Sequence, residues 1–316
     1  MARVTWLLPV KDASAYLTQT LASLASQTFK DFAVLAWDNG SIDGTPELLS
    51  SWIPSRLPGR IVTDRPMGLG ASLAAMVREC ETEFCARIDG DDIAHPERLL
   101  RQVQFLDTHA EVGCVGSQVI HIDECGSETG SIEDLPIEHW RIVLRLLTRW
   151  AMWHPTVVFR RELALAAGNY QDEQPVEDYS LWLRMGAITG LANLPDRLLH
   201  YRVHPSSITS QAKARQSLRE AITRCVATNG PVLYGSTSSQ ITSLLTTPRW
   251  SHLIKLFSVA RHLSQRTDIS LPRILSSEEF ADAVSRCCSG RVGSRLRRWA
   301  TRASENPSAG RAAVAA

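Results

Sequence analysis

Apolar and polar positions alternate in blocks along the first hundred residues. Val4 to Val10 is a β-rich, largely apolar run, punctuated by Pro9 and the polar "KDAS" that follows. Such a run bounded by turn residues predicts a buried strand. Leu17, Leu21 and Leu24 then recur at i, i+4 and i+7, one face of a helix. "FAVLAW", Phe32 to Trp37, predicts a second buried strand, and "DNGSIDGT" after it is a dense turn signal. Thr45-Pro46 opens a helix through Leu48, Leu49 and Trp52, with proline where a first turn accepts it. "RIVT" is a short strand, "GLGASLAAMVREC" a loop and helix, and "EFCARI" a further strand that runs into "DGDD".

This alternation predicts an α/β fold built on an open, largely parallel, doubly wound sheet. Ligands of such sheets bind beyond the carboxyl ends of the strands. Three polar turns, "VKDAS", "WDNGSIDGT" and "DGDD", each follow a strand, so the topology predicts that they crowd onto one sheet edge. Beyond residue 110 the pattern is mixed. "VGCVGSQVIHID" is a strand that bends at its glycines, "EHWRIVLRLLTRW" an amphipathic helix, and "TVVFRREL" a strand entering a helix. "VEDYSLWLRMGAIT" is a helix with Leu181, Trp182 and Met185 inward, and "LLHYRVHPSSIT" a late strand and turn. From residue 211 the signal is helical, over Ala212 to Thr228 and Pro248 to Leu263. The expected organisation is a domain over 1–210, a helical C-terminal extension over 211–300, and a disordered Ala/Gly/Ser-rich tail over 301–316.

Composition narrows the class. The apolar share is 44%, the charged share 21% and the net charge +1, which gives no bias toward nucleic acid. The seven cysteines contain no CxxC pair, so neither a disulfide framework nor a zinc site is expected, and a reducing cytoplasm fits. No apolar window is long enough to span a membrane. Arg249, Lys255 and Arg261 flank Leu253, Leu256, Phe257 and Ala260, however, and this basic amphipathic helix suits peripheral contact with anionic lipid.

Three stretches carry candidate chemistry. Asp89, Asp91 and Asp92 place three carboxylates within four residues. One aspartate there is explained as a helix cap; three together suit a hard divalent cation, Mg²⁺ or Mn²⁺. Asp38, at the end of a buried strand, is either a plain turn residue or an acceptor for a base or ribose. Glu177 and Asp178 are either favourable charge at a helix N-terminus or a general base over a cleft.

In order, these stretches resemble the family 2 glycosyltransferases, the inverting GT-A enzymes of bacterial polysaccharide assembly. The matching text is "LLPVKDASAYLTQTLASLASQTFKDFAVLAWDNGSIDGT", "GLGASLAAMV", "ARIDGDDIAHPERLLRQVQFLDTH", "HPTVVFRRELALAAGNYQ", "EDYSLWLRM" and "YRVHPSSIT", across about residues 3–210. The resemblance implies a GT-A fold and a metal-assisted hexosyltransferase. Its donor would be a nucleotide-diphosphate sugar, with UDP favoured, and its acceptor a saccharide or a lipid-linked hydroxyl. It places the nucleotide at Pro9, Val10, Lys11 and Asp38, with Asp89 near the ribose and diphosphate. It puts the metal, Mn²⁺ or Mg²⁺, on Asp91 and the general base on Asp178. Asp92 is left to cap the following helix. Glu177 and Trp153 and His154 fall where the acceptor approaches, and His204 near the diphosphate. For Trp153 and His204 packing or capping is an equal alternative; for Trp182 core packing is the stronger one. The implied location is cytoplasmic, peripheral at the inner face of the membrane.

The chain departs from the family pattern at Lys11-Asp12, where many relatives have Tyr-Asn, and at Asn39 and Ser180, where many carry an acid. These departures bear on which nucleotide is used. Alternatives are a non-catalytic sugar-nucleotide-binding relative, which would lack Asp91 or Asp178, and a sugar nucleotidyltransferase, which would carry a Gly-rich basic loop where "PVKDAS" stands. A dehydrogenase is disfavoured because "GLGAS" is not a GxGxxG after a first strand.

Overall fold

The computed structural model describes residues 2–130, 134–173, 175–204, 212–246 and 252–288. The chain divides into two compact units, one of residues 1–137 and 152–216, the other of 138–151 and 217–316.

The first unit is built on an eight-stranded sheet. Its strands are β1 (Val4–Val10), β2 (Phe32–Asp38), β3 (Gly59–Val62), β4 (Phe84–Arg87), β5 (Ile93–Ala94), β6 (Val112–Ile122), β7 (Val158–Arg160) and β8 (Gly190–Arg202). Their order across the sheet is β3-β2-β1-β4-β7-β6-β8-β5. All seven residues of β1 are buried, as expected of a central strand covered on both faces. β1 runs parallel to β2 and β4, and β2 to β3, while β7 pairs antiparallel to both β4 and β6. Beyond that reversal, β6 and β8 are parallel and β5 is antiparallel to β8. The register sets Val10 opposite Asp38 and Leu7 opposite Arg87, so the carboxyl ends of β1, β2 and β4 meet at one edge. The three polar turns anticipated from the sequence converge there.

Helices α1 (Leu17–Ala25), α2 (Thr45–Trp52), α3 (Leu69–Glu79), α4 (Arg98–Thr108), α6 (Arg161–Ala166) and α7 (Glu177–Gly186) complete this unit. α1 buries Leu17, Leu21 and Leu24, the predicted stripe, and α2 takes Pro46 in its first turn. β6 loses register with β8 at Gly113, where an added Cβ would lie 2.5 Å from Thr189 Cγ2, and again on both sides of Gln118, which is not a glycine position.

Asp92 does not cap the following helix. α4 begins six residues later, with Glu97 at its N-cap and no side-chain cap, because β5 and the His95-Pro96 turn intervene. Asp92 Oδ1 instead accepts the backbone N–H of Arg202 at 2.9 Å.

The second unit holds α5 (His139–Arg145), α9 (Pro231–Tyr234), α10 (Ser238–Thr246), α11 (His252–Thr267), α12 (Leu271–Leu275), α13 (Glu278–Cys287) and most of α8 (Ala212–Asn229). Segment 138–151 thus packs with helices a hundred residues away, whereas the sequence boundary at 210 places it with the sheet. The Tyr234 hydroxyl donates to the Val143 carbonyl at 2.9 Å, and Arg141 pairs with the buried Glu279 at 2.8 Å. The expected tail, 301–316, lies outside the described residues, as do Arg249 and the start of the helix expected from Pro248. Among the described residues, no helix is long and apolar enough to cross a membrane.

Candidate active site

The acidic turn after β4 is held from beneath by arginines. A short, charge-dense loop leaving a buried strand needs counter-charge, since ionised groups out of water are costly unless paired. Arg87, the last residue of β4, is 1% exposed and forms an ion pair with Asp89. Arg202, also 1% exposed, donates its Nε to the Asp91 carbonyl at 2.8 Å and a terminal nitrogen to Gln19 Oε1 at 2.6 Å. Its guanidinium stacks over the Tyr16 ring at 4.5 Å. Arg98, fully buried over the Trp6 ring, donates to the Arg87 carbonyl at 2.6 Å.

One carboxylate oxygen from each of Asp89, Asp91 and Asp92 lies within 4.8 Å of the others. The Asp89 and Asp91 side chains are 34% and 28% exposed and open to solvent, whereas Asp92 is 1% exposed. Burial pushes the Asp89 carboxyl up, Arg87 pulls it back, and Asp91 adds repulsion. Burial first, then repulsion from Asp91 and Asp89, drives Asp92 well above the usual carboxylate range. Asp92 Oδ2 is buried with no hydrogen-bond partner. Gly90 between them is tightly packed: an added Cβ would sit 3.0 Å from Val10 Cγ1 and 3.2 Å from Ala13 Cβ. His204 Nε2 lies 2.9 Å from Asp91 Oδ2, so the segment after β8 reaches the same turn.

Glu177 and Asp178 form the first turn of α7. Asp178 Oδ1 accepts the Tyr179 N–H at 2.7 Å. Burial raises Asp178 to about 6 despite that hydrogen bond and the attraction of Arg87. Burial and the neighbouring Asp178 charge raise Glu177 to about 7, and its Oε2 is buried without a hydrogen-bond partner. Two adjacent carboxyls titrate as a pair, and burial raises both. Both feel Arg87 and Asp89, which ties this helix end electrostatically to the acidic turn. α3 closes in from the side: a Cβ on Gly70 would lie 2.6 Å from the Gln171 carbonyl and 3.3 Å from Glu177 Cβ.

The ends of β1 and β2 line the opposite part of the edge. Pro9 and Val10 are buried, and Lys11, the next residue, is exposed. Asp38, 3% exposed, accepts the Ser41 backbone N–H at 3.0 Å and its hydroxyl at 2.5 Å. Asp12 accepts the Ile42 N–H at 2.9 Å, so the two loops brace each other. Asn39 accepts the Met67 N–H and donates to Ser72, a bridging role that an acid there could not fill in the same way.

Trp153 and His154 belong to a 3₁₀ turn beside β7. Trp153 packs against His121 and Tyr201 with ring centroids 5.5 and 5.4 Å away. His154 Nε2 bonds the Tyr170 hydroxyl at 3.0 Å, and burial holds the imidazole neutral. Trp182, 1% exposed, packs against Phe159 and His154 and is a core residue. Sequence reasoning assigned no role to Arg87, Arg98 or Arg202. The available signal was an arginine at the end of an otherwise apolar strand, in "EFCARI" and again in "LLHYR".

Comparison with known proteins agrees with this architecture. Residues 5–164 match the family model described as Glycosyl transferase family 2. The chain is 35% identical over 195 residues to the amylovoran biosynthesis glycosyltransferase AmsE of Erwinia amylovora, covering 61% of this chain and 72% of that one. The structure superposes on S. aureus TarS 1-349 in complex with UDP-GlcNAc with a TM-score of 0.61 at 18% identity, over 91% of this chain and 82% of that one. The mannosyltransferase PcManGT of Pyrobaculum calidifontis, solved with GDP-Man and Mn²⁺, gives a TM-score of 0.52 at 16% identity, over 96% and 81% of the two chains. These likenesses show a GT-A fold. An aspartate cluster at the end of β4, a raised carboxyl pair opening α7 and a match across half the chain converge on one assignment: the protein belongs to glycosyl transferase family 2 and is a glycosyltransferase.

Proposed function

We propose that the enzyme transfers a sugar from a nucleotide-diphosphate sugar, with UDP-sugars favoured, to a hydroxyl of a saccharide or lipid-linked acceptor, inverting the anomeric centre. The observation that carries this reading is the acidic turn after β4, where one carboxylate oxygen from each of Asp89, Asp91 and Asp92 lies within 4.8 Å of the others and Arg87 pairs with Asp89; Asp178 is the base we assign to it. A general base works best when its pKa lies near the working pH, and burial moves Asp178 toward it.

The acidic turn fits a divalent ion. Asp89, Asp91 and Asp92 each offer a hard carboxylate oxygen, the three within 4.8 Å of one another, and Asp92 Oδ2 is buried and unpartnered. Asp91 and Asp89 would hold Mn²⁺ or Mg²⁺, with His204 beside Asp91. Bound there, the ion supplies charge neutralisation to a diphosphate leaving group. The chain's own residues do the rest. Lys11 lies exposed at the end of β1, where its ammonium suits a phosphate, and Asp38 and the braced loops offer acceptors to a base or ribose. Asp178 Oδ1 is engaged by Tyr179, which orients the carboxylate so that its second oxygen takes the proton of the acceptor alcohol. Glu177, buried beside it in the first turn of α7, is the neighbour that touches the acceptor. Deprotonation on one side and departure on the other is a single displacement, hence inversion. Trp153 is the stacking surface for an acceptor sugar, in an aromatic group with His121 and Tyr201. TarS with UDP-GlcNAc and PcManGT with GDP-Man and Mn²⁺ support the donor class and the ion.

The test is a screen of the purified chain against UDP-, GDP- and dTDP-sugars with and without Mn²⁺, read by thermal shift and by donor hydrolysis. Metal-dependent stabilisation by one nucleotide series supports the reading. Stabilisation by none, or by all regardless of metal, contradicts it. The proposal extends to the cytoplasmic face of a membrane. In the second unit, Ile254 and Phe257 stand 71% and 39% exposed on α11, near Lys255 and Arg261.

A further inference from the structure

We propose that Cys80 and Cys85 are a redox-active dithiol that a peroxide closes to a disulfide in the folded protein. Cys80 terminates α3 and Cys85 is the second residue of β4, with one tight turn between them. Their Sγ atoms lie 3.2 Å apart in contact. A modest side-chain rotation brings such a pair to the bonding distance of about 2.05 Å. The turn is pinned, since the Thr82 hydroxyl lies 2.8 Å from the Thr5 hydroxyl and 2.9 Å from the Phe84 carbonyl. The two sulfurs are therefore held together rather than meeting by chance in a mobile loop.

Their surroundings differ in the way an attacking and a resolving thiol should. Cys80 is 5% exposed and Cys85 fully buried. Arg161 donates its Nε to the Val77 carbonyl at 2.9 Å and a terminal nitrogen to the Arg78 carbonyl at 3.1 Å, which fixes a guanidinium at the end of α3. The hydrogen bond with Cys85 lowers the Cys80 pKa, against burial, and Arg161 lowers it further; burial raises that of Cys85. Cys80 is thus the readier thiolate and Cys85 the proton-bearing partner, and oxidation selects thiolates.

The steps balance. The Cys80 thiolate attacks a peroxide oxygen; the O–O bond breaks, a sulfenic acid forms, and hydroxide leaves and is protonated to water. The Cys85 sulfur then attacks the Cys80 sulfur; the S–S bond forms, the S–O bond breaks, and the departing hydroxide takes the Cys85 proton. Two thiols lose two electrons, and hydrogen peroxide becomes two waters. The bond would join two elements that reach the active site at their other ends, α3 at Gly70 and β4 at Arg87. Neither thiol takes part in the proposed sugar transfer, so this inference stands or falls apart from it.

Both cysteines fall in one tryptic segment, Glu79 to Arg87. The full chain is treated with hydrogen peroxide while folded, then denatured, alkylated, digested and weighed. The expected result is a 79–87 peptide two hydrogens lighter and unalkylated, restored by dithiothreitol. Cys85→Ser should leave a sulfenic acid on Cys80 that a dimedone probe captures, and Cys80→Ser should leave Cys85 fully alkylatable. The proposal is overturned if both cysteines of 79–87 remain alkylatable while the exposed Cys125 is oxidised. It is equally overturned if Cys85→Ser yields no dimedone adduct at Cys80.

Discussion

Arg87 is the residue on which the two acidic groups depend. Its guanidinium is buried, paired with Asp89, and attracts both Glu177 and Asp178. Removing one partner of a buried ion pair leaves an uncompensated charge and costs about 3–5 kcal/mol. Arg87→Met should therefore lower the unfolding free energy measured in urea by an amount in that range, with a matching drop in the midpoint, and Arg87→Lys by less. An unchanged midpoint for Arg87→Met would remove Arg87 from this role. Asp178 behaves in the opposite way. Its folded pKa is raised above the unfolded value, so its stabilising contribution is complete below about pH 4 and is lost as pH rises through about 6. Asp178→Asn should thus be more thermostable than the natural chain at pH 7, with the gap closing by pH 4. The same titration governs activity, because a base works only when ionised. The rate should fall as pH drops through about 6, with Glu177, raised to about 7, broadening the limb. A rate flat down to pH 5 would exclude Asp178 as the base. The sequence carries only part of this arginine support. It shows that the cluster "DGDD" needs a counter-charge, and Arg87 stands two residues before Asp89; the support from Arg202, whose backbone N–H binds Asp92 and whose guanidinium binds the Asp91 carbonyl, joins residues 110 and 111 positions apart and leaves no local mark.

At the scale of elements, legibility followed how local the determining signal was. β1, β2, α1 and α2 are set by periodicity and punctuation within a dozen residues, and they appear where the pattern put them. β5 is a two-residue strand that exists only because β8 lies beside it, so the stretch after Asp92 looked like a helix cap. α13 carries an Ser277 cap that accepts the Phe280 N–H at 3.2 Å, but in a uniformly helical stretch this start signal did not stand out. Ser277→Ala should cost about 1 kcal/mol of stability in chemical unfolding, the usual worth of such a cap. A cost indistinguishable from zero would mean that α13 is held by its apolar face alone. The glycine of the acidic turn makes a sharper case. Gly90→Ala would crowd Val10 and Ala13 by a few tenths of an ångström, so metal-dependent nucleotide binding should weaken several-fold while overall melting changes little. Calorimetric titration with nucleotide and Mn²⁺ checks this.

At the scale of the whole molecule, the sheet edge and the helical unit carry different kinds of information. The edge was legible because three strand-ending turns, adjacent in the sheet, bring their polar residues together by topology alone. The grouping of 138–151 with 217–316 was not, because packing between distant helices leaves no local mark; "EHWRIVLRLLTRW" reads as an amphipathic helix whichever body it joins. The exposed apolar residues of α11 give the membrane proposal a test. Cosedimentation with anionic vesicles should fall on Ile254→Ser with Phe257→Ser, and binding that ignores both substitutions would place the contact elsewhere.

The most direct measurement compares donor binding and turnover in Asp91→Asn and Asp178→Asn, with calorimetry and a hydrolysis assay on the same preparations in Mn²⁺. The expected result is a split: Asp91→Asn loses metal-dependent binding of the nucleotide sugar, while Asp178→Asn binds it as the natural chain does and turns over about 10²- to 10⁴-fold more slowly. Normal turnover by Asp178→Asn, or undiminished metal-dependent binding by Asp91→Asn, would contradict the division of labour between the acidic turn and the opening of α7.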